Sequence, residues 1–532
     1  MSGRRAVRTI AAAAFMAFLA ACATVPVPSP VPPPVTPPEP SPPPDADGQI
    51  RQAEVLAGRG SYLQLQRAFE IYERLHGFAA LKPRLAAPFL ETALLLTVRE
   101  KELGIWNTSF VDRAVGLFNE NPPLAGYRTW LNLAGYLWPK GRGVVPKVDD
   151  RFLPDALAPA LKAAAGEMAE GAARSPALAY LFASYKWYDL KPLEKADGLD
   201  DLVSAFPNSL LLKFKKALLP AENGPLLEAL LAEEPEFVEA YFHLGVVSLA
   251  RGKLVEAEER LLKALPALSR SQALLIRLAS VYFALEEVDS SLEYFEKALF
   301  AFADNGDALL GKAICLGLLG RNDEAQAVLD RILALGGILT GECHYWKAWN
   351  HQARKDLEAA AGEIARAKDL LPTSAEVFAL SGEVEMEKGR LAEAERDLQE
   401  SLKFNQADAQ VMFNLGNVYA LQSRWLDSAV VYRTSGFVFG ENAKSLTAKI
   451  AEVRESGLSE ARKARLLRKK ELQRRQAEVS RATAFFNAAA GYANSGNAVL
   501  ALASAQDAAV HPAMAARAKE LIAEIRKRMS LR

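Results

Sequence analysis

Residues 240–264 read AYFHLGVVSLARGKLVEAEERLLKA, and the order of small and large residues in this stretch returns five more times along the chain. Apolar residues recur every three or four positions on both sides of Arg251-Gly252-Lys253, which predicts two amphipathic helices joined by a tight turn. Small residues at Gly245 and Ala257 let the two helices approach closely. One such hairpin cannot bury its own apolar stripe, so the stretch predicts stacking against further hairpins.

The period of the pattern is 34 residues, with one slip to 35. The small residue of the first helix stands at Gly245, Ala279, Ala313, Ala348, Gly382 and Gly416. The small residue of the second helix stands at Ala257, Ser291, Ala325, Ala360, Ala394 and Ser428. A fixed period of this length predicts an array of helix pairs.

This pattern resembles the tetratricopeptide repeat, which has a small residue in its first helix, alanine in its second and proline near its end. The resemblance covers about residues 237–441. It implies an all-α, TPR-type α-solenoid, a right-handed superhelix of helix pairs with a concave groove. A degenerate unit upstream ends at Pro235, and a capping helix is expected over 513–529. A last unit downstream is indicated by Phe485, Ala489, Tyr492, Ala501 and Ala508.

The first residues form a targeting signal rather than a folded domain. A basic start precedes an apolar run over 10–19, which is shorter than the roughly 20 residues needed to span a bilayer. The run ends in Leu19-Ala20-Ala21-Cys22, which resembles a bacterial lipobox and implies cleavage before Cys22 and acylation of its thiol. Ala23 follows rather than Asp, which resembles the signal for the outer membrane in a two-membrane host. We expect a lipid-anchored envelope protein that faces the periplasm.

The patterns divide the chain into five segments. Between Thr24 and Pro44, twelve of 21 residues are proline, which predicts an extended, disordered linker. The region before the array is helical but poorly periodic, so it is either degenerate repeats or a separate module. The expected segments are a signal peptide at 1–21, the lipidated cysteine and linker at 22–47, the N-terminal helical region at 48–202, the array at 203–441, and a basic helix, final unit and cap at 442–532.

No constellation of residues predicts catalysis, a metal site or a cofactor. The 64 basic and 64 acidic residues balance, and nothing global suggests nucleic acid. His344 and His351 share a helix face but lie two turns, about 10 Å, apart. The near-match to a phosphate-binding loop at 306–313 lacks the required Ser or Thr and a preceding strand. An enzyme hidden in 48–202 remains the less favoured alternative.

The two cysteines beyond the anchor are Cys315 and Cys343. We expect both to be buried thiols that pack as small hydrophobes, with a single disulfide bridge as the alternative.

The family resemblance also implies which residues face the groove. The fifth and ninth positions of each first helix face the concave side in tetratricopeptide proteins. The groove residues so implied are Phe242, Ile276, Leu310, Tyr345, Trp349, Phe413 and Asn417. Members that hold a terminal carboxylate use Lys and Asn there, and only Asn417 matches. We therefore expect a scaffold that binds protein segments through apolar anchors, with little dependence on salt.

Two alternatives to this partner stay open. The groove could carry a lipid or a hydrophobic ligand, or the same residues could simply pack between helices. The stretch 460–475 holds eight basic and two acidic residues and predicts a helix that continues to about Gly491. This basic helix is either a solvated face or a contact for anionic lipids or polymers.

Overall fold

The computed structural model describes residues 41–105, 109–136, 162–167, 175–186, 199–218, 223–337, 339–457 and 459–530. All regular secondary structure in these ranges is helical, which confirms the all-α prediction. The signal peptide, Cys22 and the linker up to residue 40 lie outside the described residues.

The N-terminal region is built from helices of unequal length. Ser61 caps the second of them, because its side chain accepts a hydrogen bond from the backbone N–H of Gln64. The predicted boundaries after residues 47 and 202 each fall inside a helix, so the chain has no break at either place. The helices are α1 (Ala46–Arg59), α2 (Tyr62–His76), α3 (Lys82–Glu102), α4 (Ser109–Glu120), α5 (Arg128–Tyr136), α6 (Pro176–Lys186) and α7 (Leu199–Ala205).

The array follows as pairs of short helices. Its first pair, the degenerate unit, is α8 (Leu210–Ala217) and α9 (Asn223–Glu233). The regular pairs are α10 (Val238–Ala250) with α11 (Leu254–Ala264), α12 (Gln272–Ala284) with α13 (Val288–Ala301), α14 (Gly306–Leu318) with α15 (Asn322–Leu335), α16 (Thr340–Ala353) with α17 (Leu357–Leu370), and α18 (Ala375–Glu387) with α19 (Leu391–Phe404). The near-match to a phosphate-binding loop lies mostly within α14.

Small residues stand where the two helices of a pair cross. A Cβ atom added to Gly382 would lie 2.5 Å from Cγ of the buried Leu398 and 3.3 Å from the carbonyl oxygen of Ala394. The same crossing brings Gly245 against Leu261, where an added Cβ would lie 2.6 Å from Cγ. Close packing of this kind explains the small residue in every first helix.

Each turn inside a pair uses one residue in the left-handed backbone region. Glycine takes this conformation at least cost, and three units instead use another residue. The φ angles lie between 59° and 83° at Gly252, Glu286, Gly320, Lys355, Gly389, Ser423 and Gly496. The last interval is 73 residues, from Ser423 to Gly496, against 34 for a repeat. About 39 residues are therefore inserted between the sixth regular unit and the seventh.

The insertion forms a long hairpin. After α20 (Ala409–Leu421), the second helix of the sixth unit continues as α21 (Trp425–Glu455), and α22 (Glu460–Asn494) ends as the first helix of the seventh unit. At 1.5 Å per residue these helices are about 46 and 52 Å long. We call α21 and α22 the C-terminal hairpin. The predicted boundary after residue 441 falls inside α21, because the repeat pattern ends there while the helix does not. The chain closes with α23 (Ala498–Ala509) and the predicted cap, α24 (Pro512–Ser530).

The tip of the C-terminal hairpin contacts the first and second regular units of the array. Arg462 pairs with both carboxylate oxygens of Glu258, each at 3.0 Å, and with Glu287. Lys469 donates to the carbonyl oxygens of Leu285 and Glu286. Leu466 is buried in the same apolar core as the first two units. The hairpin thus returns to residues that lie 175 to 204 positions earlier in the sequence.

A buried ionic cluster joins the N-terminal region to the first regular unit. Arg99 is 1% exposed and pairs with Glu239 and, at 2.8 Å, with Glu102, which also binds Lys215 at 3.0 Å. Burial alone would raise the pKa of Glu102, but the two cations outweigh it and lower this pKa to about 2. The backbone N–H of Tyr62 donates to Glu239 at 2.7 Å. Every charge in the cluster therefore has an opposite partner, as burial requires.

Cys315 and Cys343 are both buried and free, so the disulfide alternative is excluded. Among the described helices, none is long and apolar enough to cross a membrane.

Candidate binding groove

An open cavity of about 250 Å³ lies between the first helices of three consecutive units, α16, α18 and α20. Tyr345 and Trp349, one helical turn apart on α16, line one side of it. The remaining lining residues come from α18, α20 and the connection before α20. They are Ala375, Glu376, Ala379, Leu380, Glu383, Asn405, Asp408, Gln410 and Val411.

The aromatic side of the cavity belongs to a cluster of rings on α16. Trp346 contacts Trp349 edge-on with ring centroids 5.8 Å apart and contacts Tyr345 at 5.1 Å. Burial, reinforced by Glu376 and Glu383, raises the pKa of Tyr345 to about 12. The phenol therefore stays neutral at physiological pH, and the rings offer large, partly exposed faces to the cavity.

Three carboxylates line the opposite sides of the cavity. Glu383 accepts a hydrogen bond from the side-chain amide of Asn414 at 2.9 Å, and Glu376 accepts one from the Ser374 hydroxyl at 2.8 Å. Asp408 caps α20 by accepting from the backbone N–H groups of Gln410 and Val411. Within the described part of the chain, none of the three carboxylates forms an ion pair.

Other carboxylates of the same units do have cationic partners. Glu363 binds Lys347 and Arg366, and Asp397 binds Lys368 at 2.7 Å. Lys347 lies on α16 beside the aromatic residues, yet it also binds Asp330. Lys347, which is close to the cavity residues in sequence, thus binds carboxylates outside the cavity. Among the described residues, no ion pair neutralises the negative charge of the cavity carboxylates.

The other residues expected in the groove do not share this cavity. Phe242 is 5% exposed and packs edge-on against His243 in the core, so the prediction that it faces the groove is wrong. Ile276 and Leu310 are half-buried and pack against core clusters.

Phe413 and Asn417 on α20 both contact Tyr432. The Phe413 ring lies edge-on to the Tyr432 ring at 5.2 Å, and Asn417 accepts a hydrogen bond from the Tyr432 hydroxyl at 2.5 Å. Asn417 is thus used within its own unit rather than held out for a ligand.

Sequence reasoning missed the carboxylates of the cavity. Glu383 stands at the ninth position of its helix, on the expected concave register, and Glu376 stands seven residues before it. Their negative charge could have indicated a charged site, but this register was expected to bind through apolar and aromatic residues. Asp408 carries no such signal, because an N-cap aspartate is ordinary in any helix.

The basic helix also differs from expectation. The prediction of a helix over 460–475 is confirmed, since α22 includes it. Arg462 and Lys469, however, bind residues of the first two regular units, a contact within the protein that neither the solvated face nor the anionic partner foresaw.

Family models describe what the helix pairs are. Models of the tetratricopeptide repeat match residues 282–336 and, in a second form, residues 225–273 and 380–434. The chain contains tetratricopeptide repeats. Such repeats are typically non-enzymatic, protein-binding scaffolds. No curated protein is significantly similar to the chain.

Solved tetratricopeptide repeat proteins resemble parts of the chain. One from Parabacteroides merdae is 16% identical, with a TM-score of 0.36, and the match covers 55% of this chain and 98% of that one. YrrB, a TPR protein with an unusual peptide-binding site, is 21% identical, with a TM-score of 0.28 and coverage of 35% and 94%. PilW, a type IV pilus biogenesis factor, is 16% identical, with a TM-score of 0.35 and coverage of 37% and 91%. These likenesses are too distant to bear on what the chain binds.

Within the described residues of this tetratricopeptide repeat protein, no group of three or more His, Cys, Asp or Glu side chains could hold a metal ion. His344 instead pairs with Glu363 at 2.6 Å, and His351 lies near Asp356. The cavity between α16, α18 and α20 is therefore a candidate binding site, with partly exposed aromatic rings and carboxylates that form no ion pair with the described residues.

Proposed function

We propose that this protein is a lipid-anchored scaffold of a bacterial envelope, and that it binds a polypeptide segment in the groove between α16, α18 and α20. The observation that carries the binding proposal is the cavity itself. Partly exposed Tyr345 and Trp349 share it with carboxylates that form no ion pair in the part of the chain that the structure describes. Aromatic side chains of this kind dominate the binding energy where a few residues carry an interface. The envelope location rests on the sequence Leu19-Ala-Ala-Cys22.

The cavity favours a polypeptide over the alternative of a carried lipid. Sites for whole small ligands usually enclose about 300–1,000 Å³ and are mostly apolar. This cavity has about 250 Å³ and is edged by Glu376, Glu383 and Asp408. Its size suits one or two side chains of a longer segment, and its carboxylates would repel an anionic headgroup.

Site-directed photo-crosslinking in the full chain tests this proposal. A photoreactive residue at Ala379 inside the cavity should yield a protein adduct, whereas one at the exposed Leu370, on the second helix α17, should not. Tyr345→Ala combined with Trp349→Ala should reduce the adduct at least about tenfold, since losing such anchors typically costs about 2 kcal/mol or more. A lipid adduct would establish the carrier function instead. An adduct that is unaffected by the double substitution would place the working surface elsewhere.

A further inference from the structure

We propose that the cavity recognises a positively charged side chain, lysine or arginine, of the bound segment. This inference rests on the proposed function and adds the chemistry of the partner. It begins from the pairing of an aromatic side with carboxylates on the other sides of one small cavity.

The two kinds of lining group favour the same ligand. An ammonium or guanidinium group is attracted to the face of a tryptophan or tyrosine by about 0.5–2 kcal/mol, more when water is excluded. Trp349 and Tyr345 provide such rings, and Glu376, Glu383 and Asp408 provide the negative charge. A partly buried carboxylate without a counter-charge is costly, so a cationic ligand would relieve a cost that the free protein bears.

The environment of Glu383 supports a cationic ligand. Its side chain is half-buried, and burial, reinforced by Glu387 and Asp408, raises its pKa above the ordinary value. The amide of Asn414 supplies one hydrogen bond but no charge. By contrast, Glu363 and Asp397 in the same units are paired with lysine.

A metal ion does not fit the same groups. Ions such as Ca²⁺ need several oxygens at 2.3–2.6 Å from one point. No cluster of acidic side chains in the described ranges converges in this way. An organic cation spreads its charge over several donors and a hydrocarbon stem, which matches carboxylates on separate helices and an aromatic side between them.

The test uses a library of random twelve-residue peptides selected against the full chain. Binders should be enriched in lysine and arginine. Raising the salt concentration should weaken them, which differs from the small salt dependence expected from apolar anchors alone. For one selected peptide, Lys→Met or Arg→Met should weaken binding at least about tenfold. Glu376→Gln with Glu383→Gln in the protein should do the same.

A matched control removes two charges away from the cavity. Asp369→Asn with Glu393→Gln neutralises exposed carboxylates on α17 and α19 and should leave the affinity unchanged. Thermal unfolding followed by circular dichroism shows that each variant is folded.

Two other outcomes overturn different claims. Peptides that need Trp349 but show no basic preference and tolerate the loss of both glutamates would refute the cationic ligand and leave the groove proposal standing. Failure to select any peptide that depends on Tyr345 or Trp349 would refute both.

Discussion

Gly382 shows how much a single atom matters at a helix crossing. Leu398 and the backbone at Ala394 surround the place where a side chain would begin, and Leu398 is fully buried. Gly362 on α17 is the reverse case, because nothing lies within 4 Å of an added Cβ there. The two positions separate packing from the intrinsic preference of alanine for helix.

We predict that Gly382→Ala lowers the stability of the array by about 1–2 kcal/mol, since overpacking costs about 1–3 kcal/mol and is only partly offset by helix propensity. Gly362→Ala should raise the stability by up to about 1 kcal/mol. Thermal unfolding followed by circular dichroism measures both. If Gly382→Ala matched Gly362→Ala in sign, the crossing would have room that the structure does not show.

Residue types predicted the array well and the site poorly. The spacing of Gly245, Ala279 and their equivalents is local information, because each helix pair is continuous in sequence. Phe242 and Tyr345 occupy the same register, yet one is core and the other lines the cavity. The difference arises from how neighbouring units pack, and the residues of a single unit do not determine that packing.

Among the elements, the C-terminal hairpin was the least predictable. Residues 460–475 predicted a helix from their composition, and α22 confirms it. The sequence around 460–475 did not indicate which residues this helix contacts. Its partners, Glu258 and Glu287, lie far away in sequence, in the second helix of one unit and the turn of the next. Complementary charges separated by nearly 200 residues become informative only once the fold brings them together.

We predict that Glu258→Gln with Glu287→Gln loosens the tip of the hairpin. Arg462 would keep its charge in a mostly buried place, and hydrogen bonds to charged groups contribute about 1.5–3 kcal/mol. Hydrogen exchange at 453–474 should therefore accelerate at least about tenfold, while exchange at 375–421 stays unchanged. Glu471→Gln, which removes an exposed pair with Arg454, is the matched control and should have little effect. Equal exchange in the wild-type and double-variant tips would mean that the ion pairs do not hold them.

The molecule as a whole combines this array with an expected anchor. We predict that Cys22→Ser yields an unacylated protein, because a thioether-linked diacylglyceryl group cannot form on serine. This variant leaves the membrane fraction unless its uncleaved signal peptide holds it there. Fractionation and intact mass measure the outcome. A wild-type mature chain with no acyl mass would remove the anchor from the proposal.

A solenoid whose units contact only their neighbours is flexible along its length. It can stretch, twist or lose a unit at one end while the rest is unchanged. The C-terminal hairpin joins the first two regular units to the sixth and seventh, and so connects two distant parts of the array. A force that separates these two parts of the array must break the Arg462 contacts before the units between them can extend. The groove between α16, α18 and α20 lies inside that portion of the array, so the hairpin contact limits how far the units around the groove can separate.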